Sequence, residues 1–269
     1  MKTGVSTASL FLRKYNEDAL PLLNELGVKN AEVFLSTYCE YNPDFARLLL
    51  ERKGDVDINS VHVLNTQYEP QLFNANPRAK KDAFSWLEKV LTCAEILRAP
   101  YYTFHGTARV KRASRSGERD DFEKMSKSFQ EIVSACQNHG VTLCLENVEW
   151  STYNRVGVFE RLKKQVSALK GVLDIKQARI STQPYEEYLR EMGEDIAYVH
   201  VSDIDAHGKM CLPHKGVFDF ETLIKRLGDV GFDGAILIEA YTQDYAKETE
   251  LKTACDYLDE LLYKLGFLE

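Results

Sequence analysis

Short apolar segments alternate regularly with longer amphipathic segments along the whole chain. Each apolar segment has the length of a buried strand and ends at a change to polar or turn residues. Eight of them predict strands, which lie at Gly4–Ser9, Ala31–Leu35, Ile58–Leu64, Tyr101–His105, in the stretch Val141–Trp150, and at Gly171–Ile175, Ile196–Val201 and Gly234–Glu239. Eight amphipathic segments predict helices, which cover Asp18–Leu26, Pro43–Lys53, Pro77–Leu97, Asp120–His139, Phe159–Leu169, Tyr185–Met192, Phe220–Val230 and Lys247–Leu265.

Eight strand–helix repeats in succession predict a single (β/α)8 TIM barrel that spans residues 1–269 as one domain. No Pro/Gly-rich linker or change of composition divides the chain. An open doubly wound sheet is the alternative. It is disfavoured because no Gly-x-Gly-x-x-Gly motif follows the first predicted strand. In a TIM barrel the functional site lies at the carboxyl ends of the strands.

Polar side chains stand at the ends of six predicted strands, and they are His62, His105, Glu146, Asp174, His200 and Glu239. Each alternates with apolar neighbours that must face the helices, so strand parity directs all six into the barrel mouth. Glu32 lies near the start of its strand, and on that ground we expect it to stay outside the site. Clustered carboxylates repel one another without a cation, and imidazoles favour a transition metal over Mg²⁺ or Ca²⁺. The set predicts a metal site, although any one of these histidines alone is better explained as a core residue.

Composition narrows the classes of function. The net charge of −7 argues against a broad nucleic-acid-binding face. Six cysteines without a Cys-x-x-Cys pair predict free thiols. Neither a signal peptide nor a membrane span is expected from the apolar pattern. A cytoplasmic protein without a membrane partner is the expectation, and the sequence leaves open whether it forms a homo-oligomer.

Five segments resemble the xylose isomerase-like TIM-barrel superfamily, and the resemblance extends over essentially the whole chain. They are Leu145-Glu146-Asn147, Leu173-Asp174-Ile175, Val199-His200-Val201-Ser202-Asp203, Gly216-Val217-Phe218-Asp219-Phe220 and Ile238-Glu239. The resemblance implies that a divalent metal (Mn, Zn, Co or Mg) is bound by Glu146, Asp174, His200 and Glu239. It also implies that a second metal or the substrate is bound by His62 and His105.

This resemblance implies a metal-dependent isomerase or epimerase whose substrate is a sugar, a sugar phosphate or a polyol ketone. Glu146 and Glu239 would be catalytic, one removing a proton and the other returning it, at an enediolate that the metal stabilises. Two alternatives are a metal-dependent phosphoesterase similar to endonuclease IV and a barrel that binds a sugar without catalysis. Endonuclease IV needs a histidine three residues after the strand-six aspartate, where this chain has Gln177.

Further candidates for substrate binding are Lys176, Gln177, His214 and Trp150. Lys176 has the strand parity of Asp174, so it should point into the barrel mouth. It either neutralises a carboxylate and holds an anionic or hydroxyl-rich group, or forms a salt bridge in a site of diminished metal affinity. A basic loop after His105 is either a lid over an anionic group or a solvated loop, and its charged residues are Arg109, Lys111, Arg112, Arg115 and Arg119.

Overall fold

A computed structural model describes residues 1–64, 67–107 and 118–268, and the side chains of all of these except 118–121. The strands in these ranges are β1 (Lys2–Ser6), β2 (Asn30–Leu35), β3 (Asp57–Val63), β4 (Tyr101–Phe104), β5 (Thr142–Glu146), β6 (Lys170–Asp174), β7 (Ile196–Val201), β8 (Asp203–Ile204), β9 (Met210–Cys211) and β10 (Ala235–Ile238). β8 and β9 form a small antiparallel ribbon. The other eight strands close a barrel in the order β1, β10, β7, β6, β5, β4, β3, β2. The predicted TIM barrel is therefore confirmed.

Helices surround the barrel, and they are α1 (Asn16–Glu25), α2 (Pro43–Arg52), α3 (Pro77–Leu97), α4 (Glu118–Asn138), α5 (Val158–Lys163), α6 (Ile175–Ile180), α7 (Tyr185–Met192), α8 (Phe220–Asp229) and α9 (Thr249–Lys264). Several begin with a side-chain cap. The side chains of Asn42 and Asp219, for example, accept the backbone N–H groups of Phe45 and Thr222. Among the described residues, no helix is both long enough and apolar enough to cross a bilayer.

Several predicted boundaries are wrong, and local hydrogen bonds explain two of them. The first strand stops at Ser6, whose hydroxyl accepts the N–H of Ala8 at 3.3 Å and starts a 3-10 helix. The sixth strand stops at Asp174, whose carboxylate accepts the N–H of Gln177 at 2.7 Å and caps a helix that the prediction misses. The helix predicted over Phe159–Leu169 occupies Val158–Lys163.

The barrel interior has an apolar floor and a polar mouth. The floor is a small buried cluster of side chains separate from the main core, and it consists of Cys144, Val172, Ala197, Tyr198, Ala235 and Leu237. Side chains of the opposite parity, such as Leu145, Leu173 and Val199, are fully buried in the main core with the helix residues. This strand alternation follows from burial of a parallel sheet on both faces, and it leaves the strand ends to carry the polar groups.

Asp203 anchors the long loop that follows the seventh strand. Its carboxylate accepts the N–H groups of Ile204 at 2.7 Å and of Gly216 and Phe218 at 3.0 Å each. A side chain at position 216 has no room, because an added Cβ would lie 2.2 Å from Asp203 Oδ1 and 2.3 Å from the Ile204 carbonyl oxygen. Asp203 and Gly216 therefore act together to shape one rim of the barrel mouth.

Candidate active site at the mouth of the barrel

All six polar residues predicted at the strand ends meet at one end of the barrel. Five of them are buried, and Glu239 is partly buried. A cavity of about 290 Å³ opens over them, and its walls include His62, His105, Glu146 and Glu239. Aromatic rings complete the walls, with contributions from Phe34, Trp150 and Tyr241. A concave site with apolar walls and a few convergent polar groups is typical of small-molecule binding.

One cluster in this mouth has the composition of a metal site: Glu146, Asp174, His200 and Glu239 each offer a ligand atom within 4.8 Å of the others. Asp174 Oδ2 is buried without a hydrogen-bond partner among the described residues. Burial, together with the charges of Glu146 and Glu239, raises the pKa of Asp174 to about 7, against the opposing charge of Lys176. A divalent cation would use the unpartnered oxygen and neutralise the carboxylates, so the residues fit a metal.

A second cluster lies beside the first, at the ends of β3 and β4. His62 Nε2 is 3.1 Å from His105 Nε2, and His105 Nε2 is 3.2 Å from Glu146 Oε2. Glu146 also accepts a hydrogen bond from His200 Nδ1 at 2.8 Å, so its carboxylate belongs to both clusters. Burial opposes ionisation of Glu146, but the hydrogen bonds from His105 and His200 outweigh it and hold its pKa well below the usual range.

Glu32 lies directly beneath these histidines, so the expectation that it stays outside the site is wrong. Its fully buried carboxylate accepts the hydroxyls of Ser6 and Ser60, each at 2.8 Å. His62 Nδ1 is 3.1 Å from Glu32 Oε1, within hydrogen-bond distance. His200 Nε2 is 3.2 Å from the same oxygen, so Glu32 faces both imidazoles.

The stagger of the barrel explains why the position of Glu32 in its strand is misleading. β2 pairs with β3 so that Glu32 is level with Ser60, and Phe34 is level with His62. Strands in a closed barrel are tilted and staggered, so distance from the start of a strand does not give height in the barrel. Glu32 is one inward-facing position below the histidine layer, and its long side chain reaches that layer.

Lys176 reaches the barrel mouth from a helix and not from a strand. The prediction that it points there is confirmed, but the reason given, that it shares the strand parity of Asp174, is wrong. β6 ends at Asp174, and Lys176 lies in the first turn of α6. Its buried ammonium is 3.1 Å from Glu239 Oε2, 3.9 Å from Asp174 Oδ2 and 4.6 Å from the centre of the Tyr241 ring. Burial opposes the charge, but Glu239 and Asp174 outweigh it and raise the pKa of Lys176, so the side chain stays cationic.

Of the other three residues predicted to bind substrate, two line the cavity and one does not. Gln177 and Trp150 line the cavity, and the Trp150 ring centre is 5.2 Å from that of His105. His214 is exposed and does not line it, and its ring lies 6.0 Å from that of Tyr257. The basic loop lies outside the described residues, which leaves out Arg109, Lys111, Arg112, Arg115 and the side chain of Arg119.

Two supporting residues are missed by reasoning from the sequence. Asn147 Oδ1 accepts the backbone N–H of Asp174, and Asn147 Nδ2 donates to the Asp174 carbonyl, each at 2.8 Å. Asn147 follows Glu146 directly, so its place after a strand end was an available signal. Glu69 accepts the backbone N–H of His105 at 3.0 Å. It comes from a loop helix, Glu69–Phe73, and no pattern in the sequence marks it.

Comparisons with known proteins agree with this architecture. The family model for the xylose isomerase-like TIM barrel matches residues 20–261. The uncharacterized protein MJ1188 of Methanocaldococcus jannaschii is 26% identical over 286 residues, covering 100% of this chain and 98% of that protein. D-psicose 3-epimerase from Clostridium cellulolyticum H10, solved with D-tagatose, superposes with a TM-score of 0.79 at 17% identity, over 97% of this chain and 99% of that one. The IOLI protein, solved with a zinc atom, has a TM-score of 0.75 at 14% identity over 98% of each chain.

Proposed function

The chain belongs to the xylose isomerase-like TIM-barrel family, and we propose that it is a metal-dependent isomerase or epimerase of a small sugar-like carbonyl compound. The observation that carries the proposal is the convergence of Glu146, Asp174, His200 and Glu239 beside a cavity of about 290 Å³. The aromatic side chains of Trp150 and Tyr241 line that cavity. Such a site suits a compact, hydroxyl-rich ligand.

We assign the metal to those four side chains, which supply three carboxylates and one imidazole. A divalent cation held there would polarise a substrate carbonyl and offset the negative charge that develops when the neighbouring C–H loses its proton. The imidazole favours Mn, Zn or Co over Mg among the candidates. His62 and His105 then face the substrate from the adjoining strands and bind its hydroxyl groups, or they hold a second metal.

Glu146 and Glu239 are the proposed proton-transfer residues. β6 and β7 separate their strands in the barrel order, so the two carboxylates approach the cavity from different directions. Burial opposes ionisation of Glu239, but Lys176 and His200 lower its pKa, as His105 and His200 do for Glu146, so each glutamate can act as a carboxylate base. In one turnover the glutamate that is a carboxylate removes the proton next to the carbonyl, and the other, which carries a proton, returns that proton to the substrate. Return to the same carbon from the opposite face gives an epimer, and return to the neighbouring carbon gives the isomer.

Deuterium exchange tests this proposal. The purified protein, with Mn²⁺, Co²⁺, Zn²⁺ or Mg²⁺ added in turn, is incubated in heavy water with D-tagatose, other ketohexoses and inososes. We expect deuterium on the carbon next to the carbonyl of at least one substrate, measured by NMR. Absence of exchange with every substrate and cation, together with unchanged binding of a sugar by Glu146→Gln, would favour a sugar-binding barrel instead.

A phosphoesterase similar to endonuclease IV is the second candidate, because His62, His105 and Glu146 form their own cluster of candidate ligands. The net charge of −7 and Gln177 in place of a histidine count against it. Incubation with a duplex that contains one abasic site should therefore give no nicking with any of the four cations. Nicking that depends on His62 and His105 would favour the phosphoesterase over the isomerase or epimerase.

A further inference from the structure

Glu69 is a fully buried carboxylate that the proposed chemistry does not use. It begins the 3-10 helix Glu69–Phe73, in the connection between β3 and α3. Its Oε2 atom accepts the backbone N–H of His105 at 3.0 Å and lies 3.2 Å from Nδ1 of the same residue. Its Oε1 atom accepts the hydroxyl of Tyr102 at 2.8 Å. One carboxylate thus holds both the backbone and the ring of His105.

The two ring nitrogens of His105 face different surroundings. Nδ1 faces Glu69, whereas Nε2 faces His62 Nε2 at 3.1 Å and Glu146 Oε2 at 3.2 Å. An ionised carboxylate only accepts hydrogen bonds, so the bond to Glu69 requires a hydrogen on Nδ1. Nε2 is therefore the ring nitrogen that can bind a ligand or exchange a proton at the site.

We infer that Glu69 is a positioning residue that holds the Nδ1–H of His105 and keeps Nε2 directed into the cavity. A hydrogen-bonded carboxylate is a common means of orienting a functional imidazole and selecting its tautomer. The consequence for catalysis rests on the proposed function, but the orientation of the ring does not.

Hydrogen bonds behind Glu69 hold its carboxylate in turn. The Tyr68 and Tyr102 hydroxyls are 2.7 Å apart, and both side chains are buried. Tyr102 donates to Glu69, so the row of hydroxyls ends on the carboxylate. Burying a charged group without such partners is costly. The hydrogen bonds from the Tyr102 hydroxyl and from the backbone and ring of His105 offset this cost.

Glu40 provides a matched control for substitution of Glu69. It is also a buried carboxylate in a 3-10 helix, Tyr38–Glu40, of a neighbouring strand-to-helix connection. It accepts the backbone N–H groups of Ser36 and Thr37. Its hydrogen bonds include none to His62, His105 or His200. Glu40→Gln therefore reports the effect of neutralising a buried structural carboxylate.

Nitrogen-15 NMR of histidine-labelled protein tests the inference without a substrate. The signals of His105 are assigned by their loss in His105→Gln. We expect a hydrogen on Nδ1 that resonates downfield and exchanges slowly with water, and at least a tenfold faster exchange in Glu69→Gln. The rate of deuterium incorporation into the substrate should fall about 10- to 100-fold in Glu69→Gln, mainly through kcat. Glu69→Asp should partly restore both the slow exchange of the Nδ1 hydrogen and the rate of deuterium incorporation. Glu40→Gln should change neither.

An unchanged His105 signal in Glu69→Gln would overturn the inference, and so would an equal change in Glu40→Gln. If Glu69→Gln does not fold, Glu69→Asp and Tyr102→Phe give the same readout, and unchanged Nδ1–H exchange in both would overturn the inference. The two proposals can fail separately. If the His105 signal depends on Glu69 but no substrate takes up deuterium, the positioning role of Glu69 holds and the proposed function is refuted. If a substrate takes up deuterium but neither that rate nor the His105 signal depends on Glu69, the proposed function holds and the positioning role is refuted.

Discussion

The Lys176 ammonium and the Glu239 carboxylate form an ion pair, 3.1 Å apart, at the edge of the proposed metal site. The side chain of Lys176 is 4% exposed and that of Glu239 is 12% exposed, so water screens the pair weakly. Glu239 therefore has a cationic partner before any metal or substrate binds. One lysine offsets only part of the charge of three carboxylates, which leaves a role for a divalent cation.

Lys176→Met should destabilise the metal-free protein by about 3–5 kcal/mol, because it removes the ammonium partner of Glu239 and Asp174 at a buried site. Urea unfolding measures this loss. The bound metal per chain should stay the same, since all four proposed ligands remain. Lys170→Met is the control, because Lys170 pairs with Asp195 at the opposite end of β6. A large gain of bound metal in Lys176→Met by elemental analysis would instead show that Lys176 diminishes metal affinity.

Asp174→Asn should abolish most of the stabilisation that a divalent cation provides. A cation at 100 times its Kd stabilises a folded protein by about 2.7 kcal/mol, and a chelator reverses this. Thermal unfolding with and without Mn²⁺ or Zn²⁺ measures the effect. Asp195→Asn is the control, because Asp195 binds Lys163 and Lys170. Equal responses of the two variants to the cation would contradict the assignment of Asp174.

Asn147→Leu should reduce the free energy of unfolding by about 1–3 kcal/mol for each backbone group of Asp174 that it leaves without a partner. Asn147 is fully buried and makes hydrogen bonds to both the N–H and the carbonyl of Asp174. Denaturant titration gives the loss. Asn138→Leu, at an exposed position at the end of α4, should change stability by less than about 0.5 kcal/mol. Similar losses in the two variants would show that the Asp174 contacts contribute little.

His139 should make the stability of the protein depend on pH. Burial opposes its charge, but hydrogen bonds to Glu88 and Glu95, each at 2.9 Å, raise its pKa in the folded state. The stabilisation is therefore complete below the unfolded pKa of about 6.5 and is lost as pH rises through the folded value. The difference in unfolding free energy between wild type and His139→Gln should decline over that range. A difference that grows with pH would contradict this sign.

The sequence predicts the barrel and the six strand-end residues because alternation of apolar side chains is a local property. Glu146 and Asp174 follow their strands without a break, so parity places them correctly. Glu32 and Glu69 cannot be found in this way. The first depends on the stagger between β2 and β3, and the second on a loop that folds back onto His105. Both are set by tertiary contacts that no short stretch of sequence encodes.

Lys176 shows a second reason why the sequence alone misplaces a residue, which is that the apolar pattern does not mark the end of a strand. The apolar pattern continues from Leu173 through Ile175, so it predicts a longer strand, whereas the capping bond from Gln177 to Asp174 starts a helix there. Asp174 is thus both the helix cap and a proposed metal ligand. Oδ1 accepts the capping hydrogen bond, and Oδ2 is the oxygen that we propose for the metal.

Glu146 and Glu239 are the residues that we propose to transfer protons to and from the substrate. Deuterium wash-in at saturating substrate and cation measures this transfer directly in wild type, Glu146→Gln and Glu239→Gln, with Glu40→Gln as the control. We predict a loss of about 10²- to 10⁴-fold in both site variants and a wild-type rate in the control. A wild-type rate in either Glu146→Gln or Glu239→Gln would contradict the account.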